Sequence, residues 1–419
     1  MPEAPIEVIV RMGGEDVLTG RLWSHRRSGG ESATFLYDDE YLLRPGAYEL
    51  DPSLPLVAGQ QQTPAGRPIF GAFSDCAPDR WGRRLITRAE KRRVEREGGA
   101  ERSFGEVDLV LGVRDDMRQG ALRFRSSPGA AFLAGETTGV PHLIELPHLL
   151  GAADALERDE ASEEELRALL RGGSSLGGAR PKAHVINRDG RPAIAKFPRE
   201  ADDHDVMRWE AVALSLARTA GIAVADWGLH LIDGKPVLIV DRFDRSRGKR
   251  IGYVSAMTML EATDGDHGSY LEIADVVESS SPQASEDLVE LWRRIAFSVL
   301  ISNTDDHLRN HGFLRGSSAG WSLSPAFDLN PDPSPGIKHL QTSIGFDDTT
   351  ASLQTLMSVG EYFRLGGDAS RQVLKDVVGA TECWREVARQ TGIDAAEIDR
   401  MTPAFEHDQA TFAKEIVAA

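Results

Sequence analysis

In the first third of the chain, short apolar-rich runs bounded by turn residues read as mixed sheet and turn. Positions 6–10, a Gly13-Gly14 turn and positions 17–22 predict a β-hairpin, and 33–37 predict a further strand. Pro, Gly and Gln crowd 51–68, which reads as loop. Helix is expected over 79–97, and again from Ser162, where Ser162 and Glu165 form a capping box ahead of Leu166, Leu169 and Leu170; Gly172-Gly173 stop that run. Strand character returns at 183–186, turns at Asp189-Gly190 and continues over 193–197, a second hairpin with Lys196 near its end. Beyond Asp205, Trp209, Ala213, Leu216 and Ala220 keep helical spacing, and Gly221 supplies a left-handed cap. Positions 236–240 read as a buried strand. From about Ser285, Leu288, Leu291, Trp292, Ile295, Val299 and Leu300 share one helix face. A sheet-rich front therefore gives way to a helical back near Asp244.

The chain has 419 residues, enough for two to three domain-sized units with a substantial core. Its net charge of −17 repels phosphate backbones and argues against bulk nucleic-acid binding by counterion release. One stretch runs against that sign: 79–97 carries Arg80, Arg83, Arg84, Arg88, Lys91, Arg92, Arg93 and Arg96 against four acidic residues. This patch is either a solvated helix face or a surface for a partner protein or nucleic acid. Cys76 and Cys383 match no zinc or redox spacing and read as buried small apolar residues, which suits a reducing compartment. The first twenty residues lack a basic region followed by an apolar stretch, and no apolar run approaches the roughly 18 residues needed to cross a bilayer. A cytoplasmic protein without membrane attachment is expected.

Candidate chemistry gathers after the long helix, in Asn303-Thr304-Asp305-Asp306-His307-Leu308-Arg309-Asn310. In kinase-like folds an aspartate followed five positions later by an asparagine puts a carboxylate beside the attacking hydroxyl and an amide oxygen on magnesium. Eighteen residues beyond Asn310, a short hairpin leads to Pro325-Ala326-Phe327-Asp328, whose carboxylate is the expected main magnesium ligand. Taken singly, each of these residues is also an ordinary turn former. Upstream, Lys196 suits the α- and β-phosphates of a nucleotide, and Glu210 on the next helix suits the role of pinning that lysine. Between Gly172 and Lys182 a glycine-rich segment precedes the lysine strand; it is neither a G-x-G-x-x-G nor a Walker A motif. Its backbone N–H groups could approach phosphate oxygens, and a plain linker is the equal alternative.

Taken together and in order, five motifs resemble the HipA family, the serine/threonine kinase toxins of bacterial toxin–antitoxin pairs. They are Ser175-Leu176-Gly177-Gly178-Ala179-Arg180-Pro181-Lys182-Ala183, Ala195-Lys196-Phe197-Pro198, Asp241-Arg242-Phe243-Asp244-Arg245, the 303–310 stretch and Pro325-Ala326-Phe327-Asp328. Gly20-Arg21-Leu22, the 31–35 and 50–56 stretches and Ala77-Pro78-Asp79-Arg80-Trp81-Gly82 are similar to that family's amino-terminal subdomain. The resemblance implies an α+β, two-lobed protein-kinase-like fold, divided as an amino-terminal subdomain over 1–125, an N-lobe over 126–244 and a helical C-lobe over 245–419.

The same resemblance implies that Asp305 orients or deprotonates the target hydroxyl and that Asn310 and Asp328 bind magnesium. Lys196 would hold ATP phosphates, Gly177, Gly178, Ala179, Arg180, Pro181 and Lys182 would cover them, and the backbone of Asp241, Arg242 and Phe243 would meet adenine. His307 would contact the nucleotide. Ser175, beside Ser174, aligns with the serine that family members phosphorylate on themselves to shut the kinase off; a phosphate there would repel the nucleotide's own. Thr304 stands where eukaryotic kinases carry an arginine, against an arginine-dependent activation switch. The implied target is a translation component, an aminoacyl-tRNA synthetase and first of all glutamyl-tRNA synthetase, so that growth halts and cells persist. The implied partner is a separate helix-turn-helix antitoxin, HipB-like, with DNA reached only through it. Two other readings stay open: a small-molecule phosphotransferase with the same Asp and Asn geometry, and a non-catalytic co-regulator of transcription.

Overall fold

The computed structural model of the chain describes residues 4–12, 14–27, 30–135, 140–172, 178–316, 319–346 and 348–418. Its contacts divide into two units. The first comprises Met1–Glu200, Ile232–Lys235 and Asp241–Val254; the second comprises Ala201–Leu231, Pro236–Val240 and Ser255–Ala419.

The first unit is built on an antiparallel sheet with the spatial order Gln60–Gln62, Gly30–Tyr37, Glu15–Arg27, Ile6–Met12, Leu122–Arg125. The expected opening hairpin is its centre, with a bulge between Val8 and Ile9. Val8, Ile9, Val10, Leu22, Phe35 and Phe124 are buried, and Phe73 packs 5.7 Å from the Phe35 ring and 6.0 Å from the Phe124 ring. Gly20 lets two strands close up, because a Cβ there would run into the Leu36 carbonyl oxygen. The 51–68 region is not all loop: Gln60–Gln62 forms a short edge strand on Gly30–Tyr37. Its residues are polar, with Gln60 and Gln62 exposed, so backbone hydrogen bonding sets this strand and no hydrophobic alternation announced it.

Helix Arg80–Glu97 starts where the Asp79 carboxylate accepts the Gly82 N–H at 2.8 Å, and it buries Trp81 and Leu85. Its basic residues are largely neutralised within the unit. Arg83 meets Glu106 through two hydrogen bonds, Arg84 meets Glu157 at 2.5 Å, Arg88 meets Asp159 at 3.1 Å, Arg93 meets Glu90 at 2.6 Å, and Arg96 pairs with Glu163 and Glu97. The capping box of helix Glu163–Gly172 forms as expected, the Glu165 N–H donating to Ser162 Oγ and the Ser162 N–H to Glu165 Oε2 at 2.7 Å.

Strands Lys182–Ile186 and Pro192–Lys196 pair antiparallel, so Lys182 stands directly opposite Lys196. The returning segment centres on Asp244, a buried carboxylate that accepts from Arg242 at 2.6 Å, Arg245 at 2.7 Å and the Gly120 N–H at 2.8 Å. Burial opposes its charge, but the two guanidiniums overcome that and hold the carboxyl well below the usual carboxylate range.

The second unit is mainly helical. Helix Val206–Thr219 is capped by Asp205 and ends at a left-handed Gly221, as its spacing predicted. The expected strand at 236–240 falls inside Lys235–Asp241 and buries Val237, Leu238 and Ile239. Helix Ala284–Leu300 buries the anticipated face and packs on Tyr270–Ser280 and Gly367–Thr381. The carboxy-terminal helices dock through aromatics: Trp384 stacks on Phe405 at 4.6 Å, and Trp209 Nε1 donates to Glu397 at 2.8 Å. One expectation is corrected here. Cys76 is buried, but Cys383 is exposed, because it occupies the turn that starts helix Trp384–Gln390 instead of a core position. Among the described residues no helix is long and apolar enough to cross a membrane.

Candidate active site

Helix Ala284–Leu300 delivers the chain to the candidate loop, and Ser302 turns it with a φ of 54°, in the left-handed region. The Asn303 N–H donates back to the Ser298 carbonyl at 2.8 Å. From this anchored corner Asp305 emerges exposed, while its neighbour Asp306 is buried. The Asp305 carbonyl accepts two hydrogen bonds, from the His307 N–H at 3.0 Å and from Asn310 Nδ2 at 3.1 Å. A single turn of 3₁₀ helix, Leu308–Asn310, closes the loop and brings the buried Asn310 under Asp305. Asp305 and Asn310, five apart in sequence, are thus joined directly.

The hairpin expected next is present, with Phe313 opposite Leu323 and Leu314 opposite Ser322. Arg294 then donates to the Ser324 carbonyl and Ala326 bridges Val224, which sets the approach to Asp328. Asp328 has a φ of 59°, a conformation that costs a non-glycine residue about 1 kcal/mol or more and is least unfavourable for Asp and Asn. Asn330 Nδ2 donates to Asp328 Oδ1 at 3.4 Å, and the Asn330 N–H donates to Asn303 Oδ1 at 3.2 Å. Two residues on, the Asp332 N–H donates to the Ser302 carbonyl at 3.1 Å and Thr304 Oγ1 to Asp332 at 3.3 Å. These bonds tie the Asp328 segment to the loop that carries Asp305.

The donor set suits magnesium in chemistry. Asp328 offers a hard carboxylate oxygen, and Asn310, with its amide N–H committed to the Asp305 carbonyl, offers the other end of the amide. Among the described residues no group of three or more His, Cys, Asp and Glu side chains could hold a metal ion unaided. A magnesium ion here would therefore be held by these two residues together with phosphate oxygens of a nucleotide.

The other expected residues fall as follows. Lys196 ends its strand in the first unit, and Glu210 is buried on helix Val206–Thr219 in the second. Lys182 is buried and pairs with Asp79 at 2.7 Å. Gly178 has a φ of 105°, the Ala179 carbonyl accepts from Arg199, and the Pro181 carbonyl accepts the Phe197 N–H at 3.0 Å. The Arg242 side chain is locked to Asp244 and its N–H donates to the Pro192 carbonyl; Asp241 accepts from Asn187 at 2.8 Å and pairs with Arg191. Phe243 packs 6.3 Å from the Tyr253 ring. His307 is half-buried, its Nδ1 buried without a hydrogen-bond partner among the described residues. Ser175 and Gly177 lie outside the described residues.

Sequence reasoning missed a layer beneath the loop. Asp306 accepts from Tyr270 Oη and from Ser298 Oγ, and His311 Nε2 stands 3.0 Å from its other oxygen without the alignment of a hydrogen bond. Asn303, Asn330 and Asp332 were likewise not singled out. The doubled Asp305-Asp306 and the polar cluster Asp328-Leu329-Asn330-Pro331-Asp332 were the available signals.

Residues 174–401 match the HipA-like C-terminal domain family. Over 192 residues the chain is 26% identical to a Sinorhizobium fredii protein named "Putative kinase Y4mE", covering 38% of this chain and 44% of that one. A Haemophilus influenzae protein named "Putative kinase" is 24% identical over 186 residues, covering 38% of this chain and 52% of that one. The chain thus spans about half the length of these relatives. Among solved structures, a chain of the Shewanella oneidensis MR-1 toxin–antitoxin complex of HipA, HipB and its operator DNA superposes with a TM-score of 0.61 at 15% identity, over 99% of this chain and 96% of the other.

Proposed function

Because the chain belongs to the HipA-like C-terminal domain family, we propose that it is an ATP- and Mg²⁺-dependent serine/threonine protein kinase and the toxin of a toxin–antitoxin pair. The observation that carries this reading is the loop itself: an exposed Asp305 whose backbone is clamped by Asn310, tied through Asn303 and Asn330 to the Asp328 segment. Phosphoryl transfer demands little covalent chemistry from a protein and much positioning, and a carboxylate held on a fixed backbone supplies that.

In the proposed reaction Asp305 accepts a hydrogen bond from a serine or threonine hydroxyl and takes its proton as the oxygen attacks the γ-phosphorus; the bond to the β-phosphate oxygen breaks and ADP leaves. Asn310 and Asp328 would hold magnesium, which when bound neutralises charge on the phosphates. Lys196, with Glu210 as its pin, would hold the α- and β-phosphates, residues 177–182 would cover them, the 241–243 backbone would meet adenine, and His307 would face the nucleotide. The functional segments are 1–125, 126–244 and 245–419. Ser175 is the proposed self-phosphorylation site. The target is a translation component, with glutamyl-tRNA synthetase the first to assay, in the cytoplasm. The kinship with a HipA–HipB–DNA complex supports a helix-turn-helix antitoxin as partner, with DNA reached through it.

The test is incubation of the protein and its Asp305→Ala variant with γ-labelled ATP, Mg²⁺ and cell extract. Label on protein bands is expected with the parent chain and at least about 100-fold less with the variant. Equal labelling by both removes Asp305 from the chemistry. Label on a small molecule alone makes the protein a metabolite phosphotransferase, and partner binding without any transfer makes it a co-regulator.

A further inference from the structure

Asp305 and Asp306 are adjacent carboxylates with opposite environments, one exposed and one only 4% exposed. The proposed reaction uses the first and leaves the second without a task. Yet four segments of the second unit meet at Asp306. Tyr270, the first residue of helix Tyr270–Ser280, donates its hydroxyl to Oδ2, as does Ser298 from the last turn of Ala284–Leu300. His311, just past Asn310, places Nε2 3.0 Å from Oδ1 and meets the Tyr270 ring edge-on at 5.5 Å. Thr342, on the strand Thr342–Ser343, donates its hydroxyl to the Asp306 carbonyl at 2.7 Å. That strand pairs with Gly268–Ser269, which leads directly into Tyr270, so the surrounding frame is itself closed.

A buried carboxylate without partners is costly, so a site that gives one two hydroxyl donors and an imidazole nitrogen at 3.0 Å fixes its position tightly. The peptide between Asp305 and Asp306 inherits that constraint: Asp306 is held at its side chain and at its carbonyl, and Asp305 at its carbonyl by His307 and Asn310. We propose that Asp306, held by Tyr270, Ser298, His311 and Thr342, is a positioning residue that fixes where the Asp305 carboxylate stands relative to the acceptor hydroxyl. It touches neither nucleotide nor acceptor. Its catalytic consequence rests on the kinase reading; its effect on the loop does not.

The experiment compares the full chain with its Asp306→Asn, Tyr270→Phe and Thr342→Val variants. Asp306→Asn keeps the volume but weakens the acceptor, and a misplaced general base is expected to lower kcat by roughly 10- to 100-fold while KM for ATP stays within about twofold. Tyr270→Phe and Thr342→Val, each removing one donor, are expected to lower kcat by about threefold to tenfold, and they carry the test if Asp306→Asn fails to fold. Amide hydrogen exchange is followed in parallel at His307 and Asn310, whose N–H groups bond within the loop, and is expected to speed up in all three. A kcat within twofold of the parent in all folded variants overturns the proposal, as does a loss confined to KM. If the parent chain transfers no phosphate, the kinase reading fails by itself; unchanged exchange at His307 and Asn310 then overturns the positioning role, and faster exchange upholds it.

Discussion

Two buried carboxylates organise this molecule, and they are held in opposite ways. In the first unit Asp244 is surrounded by guanidiniums from Arg242 and Arg245 and by the Gly120 N–H, and Arg242 reaches on to the Met117 and Arg118 carbonyls. In the second, Asp306 is held by two hydroxyls and an imidazole. The first arrangement compensates charge with charge and binds the segment 242–245 to Gly120 within the first unit. The second uses mostly neutral donors, one residue away from an exposed carboxylate. A saturated ion network ties one segment down through charge, whereas the network at Asp306 fixes a loop corner mostly through hydroxyls, directly beside an exposed carboxylate.

The contrast can be broken by mutation. Asp244→Ala leaves two buried guanidiniums without their carboxylate and is expected to cost about 3–5 kcal/mol in urea unfolding, the largest effect here. A loss below about 1 kcal/mol would mean that the network is dispensable. Acid sharpens the contrast next. Asp244 and Asp306 are both held below the usual carboxylate range, by arginines in one case and chiefly by His311 in the other, each against the opposing effect of burial. Their stabilisation is present above the unfolded-state value of about 4 and is lost as pH falls through the folded value. Unfolding free energy should therefore fall steadily below pH 4, and it should fall less steeply in Asp306→Asn; parallel curves for parent and variant would contradict this.

Smaller effects are expected on the surface. Arg84→Ala on the basic helix removes an exposed ion pair with Glu157 and should change stability by less than about 1 kcal/mol, a difference that high salt erases. The two cysteines give the mildest probe. Burial pushes the Cys76 thiol up to about 12, while Cys383 is exposed, so iodoacetamide should modify Cys383 in the folded protein and both thiols in urea. Native labelling of Cys76 would indicate that the first unit opens readily.

Much of the framework was legible in the chain. The opening hairpin, the Ser162 capping box, the Asp205-to-Gly221 helix and the hairpin before Asp328 follow from local period and capping chemistry, and they formed where expected. That Asp305 and Asn310 share one loop was legible too, because it is local; the bond from Asn310 Nδ2 to the Asp305 carbonyl was not foreseen. What stayed hidden depends on distant partners. The charge of helix Arg80–Glu97 could be counted, but not the Glu106, Glu157, Asp159 and Glu163 carboxylates that fold back to meet it. Likewise nothing near Asp306 announces that Tyr270 and Thr342, each 36 positions away, will bond to it. The edge strand Gln60–Gln62 escaped because its side chains carry no pattern.

The corner at Asp328 carries its own lesson about design under compromise. Left-handed backbone is a seat best fitted by glycine, and this chain seats a carboxylate there instead. Asp328→Gly should thus make the protein more robust while erasing the oxygen it presents, and a β-branched replacement should lose on both counts, so tolerance at this one position separates the demands of folding from those of the proposed magnesium site.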